Sequence, residues 1–374
     1  MSKLDELIAE LCPSGVKYVP LKQIAEVGTG SSDRVNAVDD GEYPFYVRSK
    51  NILRSNRYLF DEEAIIIPGE GGIGDIFHYV NGKYDLHQRA YRIHLIDPNV
   101  NTKFTYYCLS ANFKKFIIMK AVNATVTSIR KPMIENFQIP LPPLPVQQEI
   151  VRILDNFTEL TAELTAELTA ELTARRKQYE YYRDFLLTFG DEVEWTTLGE
   201  VAINLDSKRK PVAKGKRKAG EYPYYGASGI VDYVDDYIFD GDYLLVSEDG
   251  ANLVARVTPI AFSASGKIWV NNHAHVLEFE TYEDRKFIEY YLNMIDLSRF
   301  LSTAAQPKLT QENLNKIPVP APSFEEKERI VAILDRFDAL CNDLTSGIPA
   351  EIEARQKQYE YYRDKLLTFK EVTG

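Results

Sequence analysis

Residues 174–189 read ARRKQYEYYRDFLLTF and residues 354–369 read ARQKQYEYYRDKLLTF, so fourteen of sixteen positions agree at a constant offset of 180. A repeat of this fidelity constrains the fold more than any local propensity, because whatever the first copy builds the second must build again. The correspondence runs through both halves: IVRILDNF at 150–157 lies over IVAILDRF at 330–337, and IPLP at 139–142 over IPVP at 317–320. GEYPFY at 41–46 matches GEYPYY at 220–225, and NGKYDLHQRA at 81–90 lies over SGKIWVNNHA at 265–274. Lys17 and Tyr18 with Leu21 pair with Glu194 and Trp195 with Leu198. Two variable globular regions, 1–143 (opened by a short helix) and 191–322, are therefore expected, each followed by a similar tail, 144–190 and 323–374.

Between Pro145 and Phe189 there is neither proline nor glycine, and apolar residues recur at helical spacing, which predicts one long helix. Proline clusters at 140–145 and 318–322 close each globular region and stand where prolines favour a helix start. Leu160, Leu164, Leu168 and Leu172 sit four apart in TELTAELTAELTAELTA, and the same offset brings Leu340, Leu344, Ile348 and Ile352 into the second tail. Such stripes predict a seam between two antiparallel helices, with a globular domain at either end and a pseudo-twofold axis between them. Gly347 and Pro349 predict a kink or break in the second helix. Short apolar runs at 64–67, 243–246 and 268–270 lie between Gly, Asn and Asp turns and read as strands. One helix is expected near 104–120 and its counterpart near 284–300. The fold class is α+β: two similar globular domains separated by two long helices that form an antiparallel coiled coil.

The cysteines Cys12, Cys108 and Cys341 are odd in number and far apart, which excludes a disulfide framework or a CxxC metal pair and points to a reducing cytoplasm. Residues 1–11 are amphipathic and acidic, without the apolar core of a leader, and no run of eighteen apolar residues suggests a membrane partner. The net charge of −11 is a sum, whereas nucleic-acid binding depends on where the positive groups sit. Lys208, Arg209, Lys210, Lys214, Lys216, Arg217 and Lys218 form a run with no acid between Asp206 and Glu221. That run is either a phosphate-contacting loop or an ordinary solvated one.

Motifs that would carry catalysis fail in context. Gly69, Gly71 and Gly74 match GxGxxG, but the next stretch, DIFHYVNGK, is too short and turn-broken for the required helix, so a glycine turn between strands is expected. His273 and His275 alternate on a strand with no third His or Cys, and the position matched to His273 is Arg89, which argues against a metal site. No nucleophile elbow, Walker loop, HExxH or methyltransferase cofactor motif occurs, and no pair of matched carboxylates suggests acid–base work. The chain is expected to catalyse nothing and to hold no cofactor.

The duplicated plan, the lead-in IPLPPLPVQQEIVRIL, the TAEL repeats and the two KQYEYYRD tails together resemble the specificity subunit of a type I restriction-modification enzyme, over essentially the whole chain. The TAEL run is a hallmark of one branch of that family. The resemblance implies a subunit that reads a split site in double-stranded DNA and docks two modification subunits and the restriction subunits. S-adenosylmethionine, ATP and Mg would then act in the partners, and the target adenine would be flipped into a partner pocket. Two departures stand out: Gly347 with Pro349, and Glu325 with Glu326 where the family carries a glutamine pair. A DNA-recognition subunit of another methyltransferase system, or a coiled-coil adaptor without DNA contact, remains the alternative.

Within that frame, His87, Gln88 and Arg89 match Asn271, Asn272 and His273, differing in identity inside an aligned turn. Amide side chains suit adenine edges and arginine suits guanine, so these six are candidate base readers, with inert strand residues as the plain alternative. Tyr179, Tyr181, Tyr182 and Arg183, repeated as Tyr359, Tyr361, Tyr362 and Arg363, are candidate partner contacts, although some must pack the helix pair itself. Each TAEL unit lengthens a helix by about 6 Å, so its copy number is expected to set the unread DNA spacer.

Overall fold

The computed structural model describes residues 2–120, 128–302, 307–343 and 346–372. The chain separates into two units, Met1–Glu167 with Ile352–Gly374, and Leu168–Glu351.

In the first unit α1 (Lys3–Leu11) precedes β1 (Lys17–Pro20), β2 (Ala25–Thr29), β3 (Tyr43–Tyr46), β4 (Leu53–Ser55), β5 (Phe60–Pro68), β6 (His78–Leu86) and β7 (Ala90–Leu95). Then come α2 (Thr102–Lys120), α3 (Lys131–Glu135), β8 (Gln138–Leu141) and the first part of α4 (Leu144–Leu186). Six strands form one sheet in the order β2-β7-β5-β6-β3-β4, while β1 and β8 pair separately. The second half of β5, from Ala64 to Pro68, reads as an unbroken apolar run because both its faces are covered there. Ile65 and Ile67 pack with Ile93, with Phe104 and Phe113 of α2 and with Leu154 of α4, whereas Ala64 and Ile66 pack with Tyr46, Tyr84 and Leu86.

The second unit repeats this plan. It runs through β9 (Trp195–Thr197), α5 (Leu198–Val201), β10 (Ile203–Asn204), β11 (Ala219–Gly226), β12 (Gly229–Val234), β13 (Phe239–Ser247) and α6 (Asn252–Ala255). Next are β14 (Ala261–Val270), β15 (Ala274–Glu278), α7 (Tyr282–Met294), α8 (Gln311–Asn315), β16 (Pro318–Pro320) and α9 (Phe324–Asn342); α10 (Ile348–Leu366) returns the chain to the first unit. The sheet order β10-β15-β13-β14-β11-β12 is the first sheet with each strand replaced by its sequence match. Both sheets also place one parallel pair at the same step, β3 with β6 and β11 with β14. Leu244 and Val246 pack on Phe287 of α7 and Leu334 of α9, as their counterparts do.

Matched tyrosine–carboxylate contacts tie the helix beneath each sheet to its tail. The Tyr107 hydroxyl donates to Asp155 at 2.7 Å. Tyr290 and Tyr282 donate to Asp335, 180 residues on, at 2.5 and 2.7 Å. Burial, and then the bond to Asp335, pushes Tyr282 up to about 12, so it remains a donor at neutral pH. Gln147 clasps the first lead-in, its amide donating to the carbonyls of Asn99 and Pro142 and accepting from the Asn101 N–H. The offset of 180 places Lys327 there in the second lead-in, where it reaches Asp284 at 2.8 Å. Glu325 and Glu326, expected to stand for the glutamine pair, instead occupy the first turn of α9, which Ser323 caps.

Helix α4 is continuous over 43 residues, about 65 Å at 1.5 Å per residue. The second tail is broken, as Gly347 and Pro349 predict. Pro349 falls in the first turn of α10, where its missing N–H costs nothing. A Cβ on Gly347 would lie 2.6 Å from the Ala339 carbonyl oxygen, so glycine alone fits that approach. The counterpart of α2 ends early, at Met294. Asp296 accepts the Ser298 N–H and hydroxyl, a local turn that competes with another helical turn.

The leucine stripe is a weaker seam than expected. Leu160 is 60% exposed, Leu164, Leu168 and Leu172 are half-buried, Leu340 is exposed and Ile348 buried, and Leu344 lies outside the described residues. A four-residue period drifts about 40° per unit on a 3.6-residue helix, so the four leucines cannot all face one partner. Within the first unit, Phe157 packs on Tyr362 and Thr158 meets Tyr359, an antiparallel order. Within the second, Tyr182 and Tyr179 pack on Phe337. Phe157 and Phe337 are matched residues, as are Tyr362 and Tyr182, so each contact repeats the other with the tails exchanged. The first unit also closes without a covalent link what the second closes along the chain: the Val16 N–H donates to the Lys370 carbonyl and Tyr18 to that of Phe369.

Candidate nucleic-acid and partner interfaces

Residues 87–89 form the turn from β6 to β7, and 271–273 the turn from β14 to β15. Their first members point inward: His87 and Asn271 are both buried. They do one job with different chemistry. The Arg89 N–H donates to Nδ1 of His87 at 3.0 Å, and the His273 N–H donates to Oδ1 of Asn271 at 2.7 Å. Burial, and then nearby Arg48, pushes His87 below the usual histidine range, which keeps that acceptor lone pair open. The outer backbone bonds match too, since the carbonyls of Arg89 and His273 accept from the N–H groups of Gly69 and Glu248.

The second and third members of each turn face outward. Gln88 is exposed and its amide donates to Asp33 at 3.0 Å; Asn272 is exposed. Arg89, 56% exposed, pairs with Glu70 at 3.0 Å. His273, 51% exposed, meets Asp249 at 2.9 Å. Glu70 and Asp249 are matched in IIIPGEG and LLVSEDG at offset 179, a signal present in the sequence but not of the kind that marks catalytic carboxylates. These matched acids hold the third side chain of each turn. Arg89 and Arg48 hydrogen-bond Glu70 and hold it below the usual carboxylate range. The glycine motif is the expected turn, with Gly71, Gly72 and Gly74 at positive φ and no helix after them before β6. Beside it lies a cleft of about 430 Å³ lined by Arg34, Arg48, Asn51, Glu70 and His87.

The basic run divides. Lys208, Lys210, Lys214, Lys216 and Lys218 are exposed. Arg209 and Arg217 turn inward. Arg209 pairs with Glu248 at 2.6 Å and Asp206 at 3.3 Å. Arg217 pairs with Asp232 at 3.1 Å and lies over the Tyr224 ring. Each guanidinium buries beside an acid that spacing along the chain does not disclose.

His275, set aside as a ligand, is fully buried with Nδ1 at 2.6 Å from Asp206 and Nε2 at 2.8 Å from the Leu309 carbonyl. Asp206, Glu248 and His275 have metal-ligating chemistry at close range. Their carboxylates are already met by Arg209 and by Lys308, which lies 2.7 Å from Glu248. A divalent ion would have to displace both cations, so the group fits an ion-pair network that braces the second turn.

The tail residues divide as well. Tyr179 and Tyr359 are half-buried within the helix packing. Arg183 and Arg363, on Asp184 and Asp364, are largely covered. Tyr181 and Tyr361 are 64% and 63% exposed, and Tyr182 and Tyr362 keep an exposed edge. Both tails thus show the same outward tyrosine pair. No helix among the described residues is long and apolar enough to cross a membrane.

Comparison with known proteins agrees with this duplicated plan. Residues 13–174 and 190–354 each match the family model of the type I restriction modification DNA specificity domain. The Escherichia coli EcoprrI specificity subunit is 31% identical over 384 residues, 92% of this chain and 93% of that one. A Haemophilus influenzae type I specificity subunit is 41% identical over 196 residues, but that match spans only half of either chain (51% and 50%). Among solved structures, the type I restriction-modification S subunit from M. genitalium covers 96% of this chain and 97% of its own, with a TM-score of 0.53 at 18% identity. A chain from a structural study of type I R-M complex assembly covers 95% and 98%, with a TM-score of 0.64 at 14% identity. With both halves of its fold matched in order, the chain belongs to the type I restriction-modification DNA specificity family.

Proposed function

We propose that residues 1–143 and 191–322 each read one half of a split site in double-stranded DNA, and that the chain itself catalyses nothing. The observation that carries this is the pair of turns. Their backbone bonds, inward first residue and acid-held third residue coincide, while the outward residues differ: Gln88 and Arg89 in one, Asn272 and His273 in the other. One frame presenting different edges is what reading two unlike half-sites requires, with arginine suited to guanine and amides to adenine. His87 and Asn271 set the turn geometry. The five exposed lysines between 208 and 218 supply phosphate contacts that carry affinity with little sequence information.

The repeated face of Tyr181, Tyr182, Tyr361 and Tyr362 docks two modification subunits, and the assembled complex recruits restriction subunits. S-adenosylmethionine, ATP and Mg act in those partners. Gel shift with the full chain, with and without the modification subunit, tests the reading. A sequence-dependent shift that sharpens on adding the partner supports it. Partner binding with no DNA shift in either lane would leave only an adaptor.

A further inference from the structure

We propose that the two tails are unequal docking sites for one partner surface, and that Phe185 makes the first the tighter. This rests on the reading that the tails hold modification subunits.

Only two of the sixteen matched tail positions differ, Arg176 against Gln356 and Phe185 against Lys365. Phe185 is 67% exposed although it stands beside buried Leu186 and Leu187 at the fixed end of α4. Its ring stacks on Tyr181, 6.2 Å away and within 6° of parallel, and Tyr181 meets Tyr182 edge-on. The first tail therefore extends the shared tyrosine pair by one more aromatic step, where the second offers an ammonium.

The surroundings differ in the same sense. Phe185 and Phe189 line a groove of about 570 Å³ with Pro322, Glu192 and Glu194, where Glu326 is already paired with Arg329. The second tail carries Lys365 in place of Phe185, and Lys370 followed by Glu371 beyond it. The first surface thus suits a partner segment with an apolar side chain flanked by lysine or arginine. The same segment on the second tail loses that apolar contact and meets like charge. The aromatic patch is continuous with the repeated tyrosine face that the proposed function gives to the modification subunit, so that subunit is the occupant.

Burying one phenylalanine in one copy only separates the two affinities by roughly ten- to a hundredfold. The full chain is titrated with the purified modification subunit and followed by native mass spectrometry and calorimetry. The expected result is two unequal steps, with a 1:1 complex accumulating below saturation. F185K should weaken the tight step towards the other, and K365F should tighten the weak one; both positions are surface sites, and circular dichroism checks the fold. Two equal steps in the wild-type chain overturn the inequality and leave the docking reading standing. A complex indifferent to the double variant Y181A/Y361A, or no complex, overturns that reading and this inference with it. Wild-type chain that dimerises alone while F185K stays monomeric would make a second copy the occupant, and the proposal falls.

Discussion

Substituting Arg89 with alanine removes a side chain that the fold scarcely uses. Arg89 and Glu70 are both well exposed, and exposed pairs of this kind contribute about 0–1 kcal/mol. Glu70 would keep Arg48 at 2.9 Å, and the turn would keep its shape because the Arg89 backbone N–H still donates to His87. The expected change in melting temperature is therefore at most about 4 °C for a unit of this size. The effect on DNA should be much larger. An arginine bidentate to a guanine edge is worth about 1–3 kcal/mol of discrimination, or about 5- to 150-fold. Releasing Arg89 from Glu70 costs at most the small energy of the exposed pair. Fluorescence anisotropy on duplexes varied in one half-site at a time measures this directly. R89A should lose preference at one position of one half-site, and H273A should act only on the other. A folded R89A chain with both affinity and sequence preference intact refutes the assignment of this turn.

Neutralising Lys210, Lys214 and Lys216 to glutamine should weaken binding to all duplexes alike and reduce the log–log salt slope by up to about 0.9 per lost phosphate contact; an unchanged slope means the loop faces solvent. Deleting residues 165–168 shortens α4 by about 6 Å, so genome-wide methylation mapping should return the same half-sites with an unread spacer shorter by about one or two base pairs; an unaltered spacer in an active complex rules the ruler out. Glu149 is held down to about 2 by hydrogen bonds from Arg152 and then Lys3. Because its folded value lies below the ordinary value of about 4.3, its stabilisation is present above that value and is lost as pH falls towards 2. Acid melting profiles should therefore be shallower over that window for E149Q, and parallel profiles would contradict the role.

The features legible in the sequence were those fixed by local period and by self-comparison. The long helix could be read from a stretch free of proline and glycine, and the break at Gly347 and Pro349 from two residues whose backbone limits do not depend on context. The duplication makes the turns at 87–89 and 271–273 equivalent independently of any strand order. Tertiary structure decided which way each side chain points. His87 and Asn271 look like base readers in a linear alignment, yet both turn inward to accept an N–H two residues on. Arg209 and Arg217 belong to a basic run by composition and leave it by pairing with Glu248 and Asp232, acids 39 and 15 residues away. The leucine stripe has the right spacing for a seam, but drift around the helix leaves Leu160 largely in solvent. Backbone periodicity is a property of neighbouring residues and so is written in their order, whereas the inward or outward sense of a charge depends on partners that only the folded sheet brings near.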